Sequence, residues 1–322
     1  MAISEHLTEF HGLPVFDLFP EDETADSSAL PAADAVAWRV GLHYEAARSF
    51  AECWEEFLAL VDTQQVRAVV IGPWFSDDYE YTLAEPLAAI TGSADQLPSL
   101  RALFLGDVTY EQCELSWLQL SDVTPALESF PLLEELVVRG ASGDYEGKEG
   151  LALRPLRHER LRALRFEAGG LPAEVVRAVG ASDFPALERL ELWLGVSEYG
   201  GDATVADLAP FLDGARLPVL RHLGLENSEL QDEIAAAVAG APVVARLESL
   251  SLAMGILTDQ GAGALLAGQP LTHLRALDLH HHFVSEELQQ RLRDTLGAAG
   301  VAVDLSEHEK PHGDWRYVAN AE

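Results

Sequence analysis

Apolar residues recur along this chain in the line Leu-x-x-Leu-x-Leu, beginning at Leu100, Leu133, Leu161, Leu187, Leu220, Leu247 and Leu274. Successive first leucines are 33, 28, 26, 33, 27 and 27 residues apart. Inside each line the apolar positions alternate, the period of a strand with one face buried. Between the lines the period lengthens toward that of a helix. Residues 49–61 open with Ser49-x-x-Glu52, a capping box, and then place Phe50, Cys53, Trp54, Phe57, Leu58 and Val61 on one face. Leu230, Ile234 and Val238 repeat that face in a later coil, as do Leu288, Leu292 and Leu296 after Ser285. A strand and a helix returning at a fixed period predict a solenoid, in which a coil buries its apolar face only when neighbours stack on it.

The ladder extends beyond its clear centre. Val66 to Ile71 and Ala37 to Val40 stand one and two coils earlier, and Val301 to Leu305 stands one coil past Leu279. Phe10 to Phe19 suits an N-terminal cap strand, and Trp315 to Ala319 suits a closing segment. Strand–helix coils of this length resemble the long, ribonuclease-inhibitor-like class of leucine-rich repeats. That resemblance implies an α/β horseshoe with a concave parallel sheet of about ten strands, convex helices, and caps at both ends. The expected organisation is an N-terminal cap over 1–34, a solenoid over 35–305 and a C-terminal cap or tail over 306–322, all one continuous structural unit. The Asn that usually follows the last leucine survives at Asn227, and glycines such as Gly72 and Gly106 stand in for it elsewhere.

Composition narrows the function classes. The 53 acidic residues against 21 basic ones give a formal charge of −32, a surface that repels phosphate backbones and favours a basic protein partner over nucleic acid. No run reaches the roughly 18 apolar residues that a membrane span needs, and the first residues lack the pattern of a signal peptide. With only Cys53 and Cys113, a disulfide framework is not expected, which favours a reducing cytoplasm. No nucleotide-binding loop, nucleophile elbow or cofactor fingerprint occurs, so neither a cofactor nor an enzymatic activity is expected.

Candidate contacts lie at the carboxyl ends of the strands. Tyr79, Tyr81, Tyr110, Tyr145 and Tyr199 follow strands, and the pair Tyr-Glu recurs with Glu80, Glu111 and Glu146. In a stack of parallel strands these loops share one edge, so with Trp74 and acids such as Asp107 they predict an acidic, aromatic rim. The alternative is that each tyrosine wedges against its own coil. Alternation turns Glu135, Val137, Arg139, Ala163, Arg165, Glu167, Arg189, Glu191 and Trp193 outward on the sheet, with Arg139 beside Glu167, Arg165 beside Glu191 and Trp193 as a contact anchor. Further along, His222, Glu226, Asp278, His280, His282, Asp304 and His308 make the same face acidic and histidine-rich. Convergence of His280, His282 and His308 with Asp278 and Asp304 would offer nitrogen and oxygen ligands to a metal, although polar surface residues are the commoner reading and no metal is favoured. His308-Glu-Lys-Pro-His312 matches H-E-x-x-H, but Pro311 lies within it and opposes the helix that metalloprotease chemistry requires.

Phe10-His-Gly-Leu-Pro-Val-Phe, Gly200 to Ala209, Gln269 to Arg275, Leu277 to His282 and Trp315-Arg-Tyr-Val together resemble a family of high-GC, actinobacterial-like leucine-rich-repeat proteins. That family has no assigned activity, so the resemblance carries over no functional residues. It implies an accessory protein that engages a partner protein. The expected function is therefore a non-catalytic interaction scaffold using the concave face and the rim, with small-molecule or metal binding at the histidine end as the alternative.

Overall fold

The computed structural model describes residues 3–20, 30–44, 46–76, 81–140, 150–313 and 315–322. The chain is α/β and divides into two compact units. The N-terminal unit is Ala2–Leu153 with His158–Leu161 and Glu322, and the C-terminal unit is Arg162–Ala321 with Arg154–Arg157.

The N-terminal unit holds strands β1 (Glu9–Phe10), β2 (Leu13–Asp17), β3 (Ala37–Val40), β4 (Ala68–Ile71), β5 (Ala102–Leu105) and β6 (Glu135–Arg139), with helices α1 (Phe50–Leu60), α2 (Ala84–Gly92) and α3 (Thr124–Ser129). β1 and β2 form a short antiparallel pair, and β2 to β6 then run parallel in chain order. The C-terminal unit holds β7 (Ala163–Glu167), β8 (Arg189–Gly195), β9 (His222–Ser228), β10 (Ser249–Ser251), β11 (Ala276–Asp278) and β12 (Ala302–Asp304), with α4 (Ala173–Ala181), α5 (Ala209–Asp213), α6 (Gln231–Val238), α7 (Asp259–Ala267) and α8 (Glu286–Leu292). Its strands are likewise parallel and in chain order. Each of the ten segments expected to be extended contains one strand, from β3 to β12.

Leu103, Leu105, Leu136, Leu164, Leu190, Leu192, Leu223, Leu225, Leu250, Leu252, Leu277 and Leu279 are all buried. The face they share is the leucine face of each sheet. α1 packs there in the N-terminal unit, where Trp38 lies 6.2 Å from Phe57 between ring centroids. Its capping box forms as expected: Glu52 N donates to Ser49 Oγ over 3.3 Å, and Ser49 N donates to Glu52 Oε2 over 2.7 Å. Cys53 and Cys113 are free and buried, and burial pushes their thiols up to about 11 and about 12.

The opposite faces of the two units differ in kind. In the N-terminal unit that face is apolar, built from Ala37, Ala68, Val70, Ala102, Phe104 and Val137. The chain before β2 folds across it. Phe10 meets Phe104 edge-on at 5.7 Å, with Leu7, Leu13 and Val15 packed alongside. Polar bonds hold this segment down: Tyr110 N donates to Ile3 O over 2.8 Å, and His11 Nδ1 pairs with Glu135 Oε2 at 2.8 Å. The expectation that Val137 and Arg139 face solvent is therefore corrected, because both are buried under or beside this covering segment. In the C-terminal unit the equivalent face is polar.

The turn after several strands enters the left-handed region, at Asn227 (φ 55°), Met254 (φ 66°) and His281 (φ 52°), one position per coil. The C-terminal tail docks along these corners. His281 Nε2 lies 3.0 Å from Tyr317 O, Ala319 N donates to Met254 O over 2.8 Å, and Asn320 N donates to Asn227 Oδ1 over 3.0 Å. Expected to close the end of the stack, the tail instead runs back along the strand ends of its unit.

Candidate functional site

Register arranges the polar face of the C-terminal unit in rows. Arg165 pairs with Glu191, Glu191 with Gly224, Gly224 with Ser251, Ser251 with Asp278, and Asp278 with Asp304. A second row sets Trp193 beside Glu226. Gly224 leaves room for the flanking acids to fold onto the sheet, since a Cβ there would stand 3.0 Å from Glu191 Cγ and 3.1 Å from Glu226 Cδ.

Glu191 collects basic partners. Arg165 bonds it across the register, Arg189 donates to its Oε1 over 2.8 Å, and His222 Nε2 stands 3.0 Å from the same oxygen. Burial opposes its charge, but His222, Arg165 and Arg189 outweigh that and hold the carboxyl down to about 2. Glu226 is the reverse case. Trp193 Nε1 donates to its Oε2 over 2.9 Å, which is a neutral partner. Burial first, and then the negative charge of Glu191, push its carboxyl up to about 7. Two carboxyls on adjacent strands thus sit in opposite protonation regimes near neutrality.

The rim residues divide. Tyr81 and Tyr110 are exposed, 40% and 45%, and Glu111 is exposed beside Tyr110. Tyr44, from the same Tyr-Glu pattern, is 69% exposed. Tyr199 and Trp193 are half-buried. Trp74 does not belong with them: its indole is 1% exposed, meets Phe75 edge-on, and donates Nε1 to Tyr81 O over 2.8 Å. Trp74 and Tyr81 line a cavity of about 280 Å³ together with Leu42, Arg48, Phe50 and Pro86. Tyr79, Glu80, Tyr145 and Glu146 lie outside the described residues. Asp107 also leaves the rim. It is fully buried, accepts from Arg39 Nε at 2.9 Å and from Leu7 N at 3.2 Å, and lies 3.6 Å from Arg139 Nη1. Burial opposes its charge, but His6, Arg39 and Arg139 hold its carboxyl below the usual range. Asp107 is a structural anchor under the N-terminal segment. Trp117, 55% exposed in the loop after β5, is a rim residue that sequence reading missed. Its signal was a tryptophan in a polar stretch outside the leucine period.

The histidine end does not converge as expected. The left-handed turn at His281 breaks the alternation, so His280 and His282 part company. His280 stays on the polar face, its Nδ1 2.8 Å from Asp278 Oδ1, and that bond is the chief cause of its raised pKa. His282 is fully buried, with Nε2 3.3 Å from Leu305 O and Nδ1 accepting from Val284 N at 3.1 Å. Both of its ring nitrogens are engaged, and His308 stacks on it at 5.3 Å between centroids. Asp278, His280 and Asp304 still offer oxygen and nitrogen atoms within 4.8 Å of one another. Residues 308–312 form no helix, only isolated bridges at His308 and His312, so the H-E-x-x-H match has no helix to act from.

No family model matches the chain. No curated protein matches it either. Among solved structures it is similar to the crystal structure of a protein from Bacteroides fragilis, a structural-genomics target, at 25% identity and a TM-score of 0.75, covering 87% of this chain and 76% of that one. No helix among the described residues is long and apolar enough to cross a membrane.

Proposed function

We propose that this chain is a leucine-rich-repeat solenoid that acts as a non-catalytic, cytoplasmic scaffold for a partner protein with a basic surface. The period of buried leucines and the run of parallel strands joined by helices support the solenoid reading. A formal charge of −32 and the acids Glu191, Glu226, Asp278 and Asp304 on the polar face favour a basic partner. The observation that carries the reading is the exposure of Tyr44, Tyr81, Tyr110 and Trp117, at 69%, 40%, 45% and 55%, on loops that follow the neighbouring strands β3, β4 and β5. Large rings with a polar edge, held in water on one side of a fold, are typical of contact surfaces. The opposite face of the N-terminal unit is already covered by its own chain. Its rim therefore supplies that unit's contacts, and the polar face of the C-terminal unit supplies the rest.

Site-specific photo-crosslinking in the native cell tests this. A crosslinker at Tyr110 or Trp117 should capture the same protein, and one at Leu60, exposed on α1, should not. Replacing Tyr110 and Trp117 together by Ala should then weaken that captured partner by about 2 kcal/mol or more, on the scale of interface anchors. Indistinguishable capture from the rim and from Leu60 would remove the scaffold reading.

A further inference from the structure

Small-molecule sites join an apolar interior to a few polar groups that fix orientation. The cavity at the starts of α1 and α2 has that composition. Its apolar walls are Leu42 after β3, Phe50 of α1, Trp74 and Phe75 after β4, and Pro86 and Ala89 of α2. Those walls are held in place: Trp74 Nε1 donates to Tyr81 O over 2.8 Å, and Trp54 Nε1 of α1 donates over 2.9 Å to Ser93 Oγ at the end of α2. Two opposite charges also line the cavity, one from the start of each helix. Arg48 directly precedes the Ser49 cap of α1, and Glu85 stands in the first turn of α2. Both reach solvent, the Arg48 side chain at 35% exposure and Glu85 as an exposed residue. Arg48 bonds Glu56 through Nη2 and stacks over Phe19 at 4.5 Å, and Glu85 accepts from Tyr81 OH through Oε2. Each bond uses one atom of its group, and a guanidinium has five N–H donors and a carboxylate two oxygens, so both keep capacity for a ligand.

We propose that this cavity binds a free α-amino acid with an aromatic side chain. The ring packs among Phe50, Trp74 and Phe75, where edge-on and offset contacts favour another aromatic group. The carboxylate pairs with Arg48 beside the first turn of α1, where a helix leaves its amides without partners of its own. The ammonium pairs with Glu85. Size agrees with this occupant: a cavity of about 150 Å³ holds benzene, so one of about 280 Å³ holds such a ring with a short zwitterionic head. A ligand with a single charge matches only one of Arg48 and Glu85, so an aromatic acid or an aromatic amine binds less well. The inference goes beyond the scaffold reading and does not depend on it.

The Trp74 indole, a wall of the cavity, reports its occupancy. Full-length protein with ¹⁵N-labelled tryptophan is titrated with L-phenylalanine, and the Trp74 signal is identified by its loss in Trp74→Phe. That signal should move saturably while those of Trp193 and Trp315 stay in place. The acid 3-phenylpropanoate, which lacks the ammonium, and the amine 2-phenylethylamine, which lacks the carboxylate, should each bind about tenfold more weakly or worse, the scale of one lost hydrogen bond to a charged group. Glu85→Gln should weaken L-phenylalanine by a similar factor without weakening 3-phenylpropanoate. Arg48→Gln should weaken it without weakening 2-phenylethylamine. Both substitutions replace side chains that reach solvent, and an unchanged melting temperature confirms that each variant folds. An unmoved Trp74 signal, equal binding of the three aromatic ligands, or an L-phenylalanine affinity indifferent to both substitutions would overturn the proposal. So would equal binding of L-alanine, because the aromatic walls would then play no part.

Discussion

Glu191 and Glu226 stand on neighbouring strands and titrate in opposite directions because their partners differ. For Glu226 the folded carboxyl is raised to about 7 from an ordinary 4.5. The unfolded chain loses this proton first, so the residue's contribution to stability falls as pH rises from about 4.5 to about 7 and then levels off. That loss amounts to about 3 kcal/mol at most, at 1.36 kcal/mol per unit. Glu226→Gln should therefore match the parent protein near pH 4 and exceed it in urea-unfolding free energy at pH 8. A variant no more stable at pH 8 than at pH 4, relative to the parent, would show that Glu226 ionises freely. Glu191 runs the other way. Its folded carboxyl is depressed to about 2, so its contribution is present above about 4.5 and is lost as pH falls toward 2.

Strand sequences record how many faces each element buries. β4 (Ala-Val-Val-Ile) and β5 (Ala-Leu-Phe-Leu) are continuous apolar runs, the composition of strands covered on both sides, and the structure buries every one of their residues. β8 reads Arg-Leu-Glu-Leu-Trp-Leu-Gly, an alternation whose leucines face the helices and whose polar residues face away. The N-terminal expectation treated both kinds of strand alike and so placed Val137 and Arg139 in solvent. Leu223, near the start of β9, is fully buried between Leu190 and Leu250. Leu223→Ala should cost about 2–5 kcal/mol in unfolding free energy through the cavity it leaves. A cost below 1 kcal/mol would mean that the leucine face is loosely packed there.

At the scale of the molecule, each unit uses a terminal segment to finish a surface. Residues 3–13 close the apolar face of the N-terminal unit, where Phe10 reaches Phe104 across the sheet. The last residues line the left-handed corners of the C-terminal unit. Deleting residues 1–12 should leave the far-UV circular dichroism largely unchanged while exposing Ala68, Val70, Ala102, Phe104 and Val137. The expected readouts are binding of an apolar fluorescent dye and a lower melting temperature. Neither change would mean that the segment only rests on a face that is stable without it.

The sequence by itself determined the strand positions, the helix faces, the capping box at Ser49 and the identity of the buried leucines. These depend on periods of two and 3.6 residues, which are local and repeat in every coil. It also pointed to Tyr81 and Tyr110 as rim aromatics and to Arg165 beside Glu191, because loop order and register follow from parallel stacking. Tertiary structure alone decided which faces stay open. The contact between Phe10 and Phe104 joins positions 94 residues apart, and no local period encodes it. It decided that Asp107 and Trp74 are buried, since burial there depends on Arg39, Leu7 and Tyr81 arriving from other segments. It separated His280 from His282 by a left-handed turn that a strand pattern does not foresee. It also drew Arg165, Arg189 and His222 onto Glu191 and left Glu226 bonded to the neutral indole of Trp193, because side-chain reach across strands, not sequence spacing, sets which groups meet.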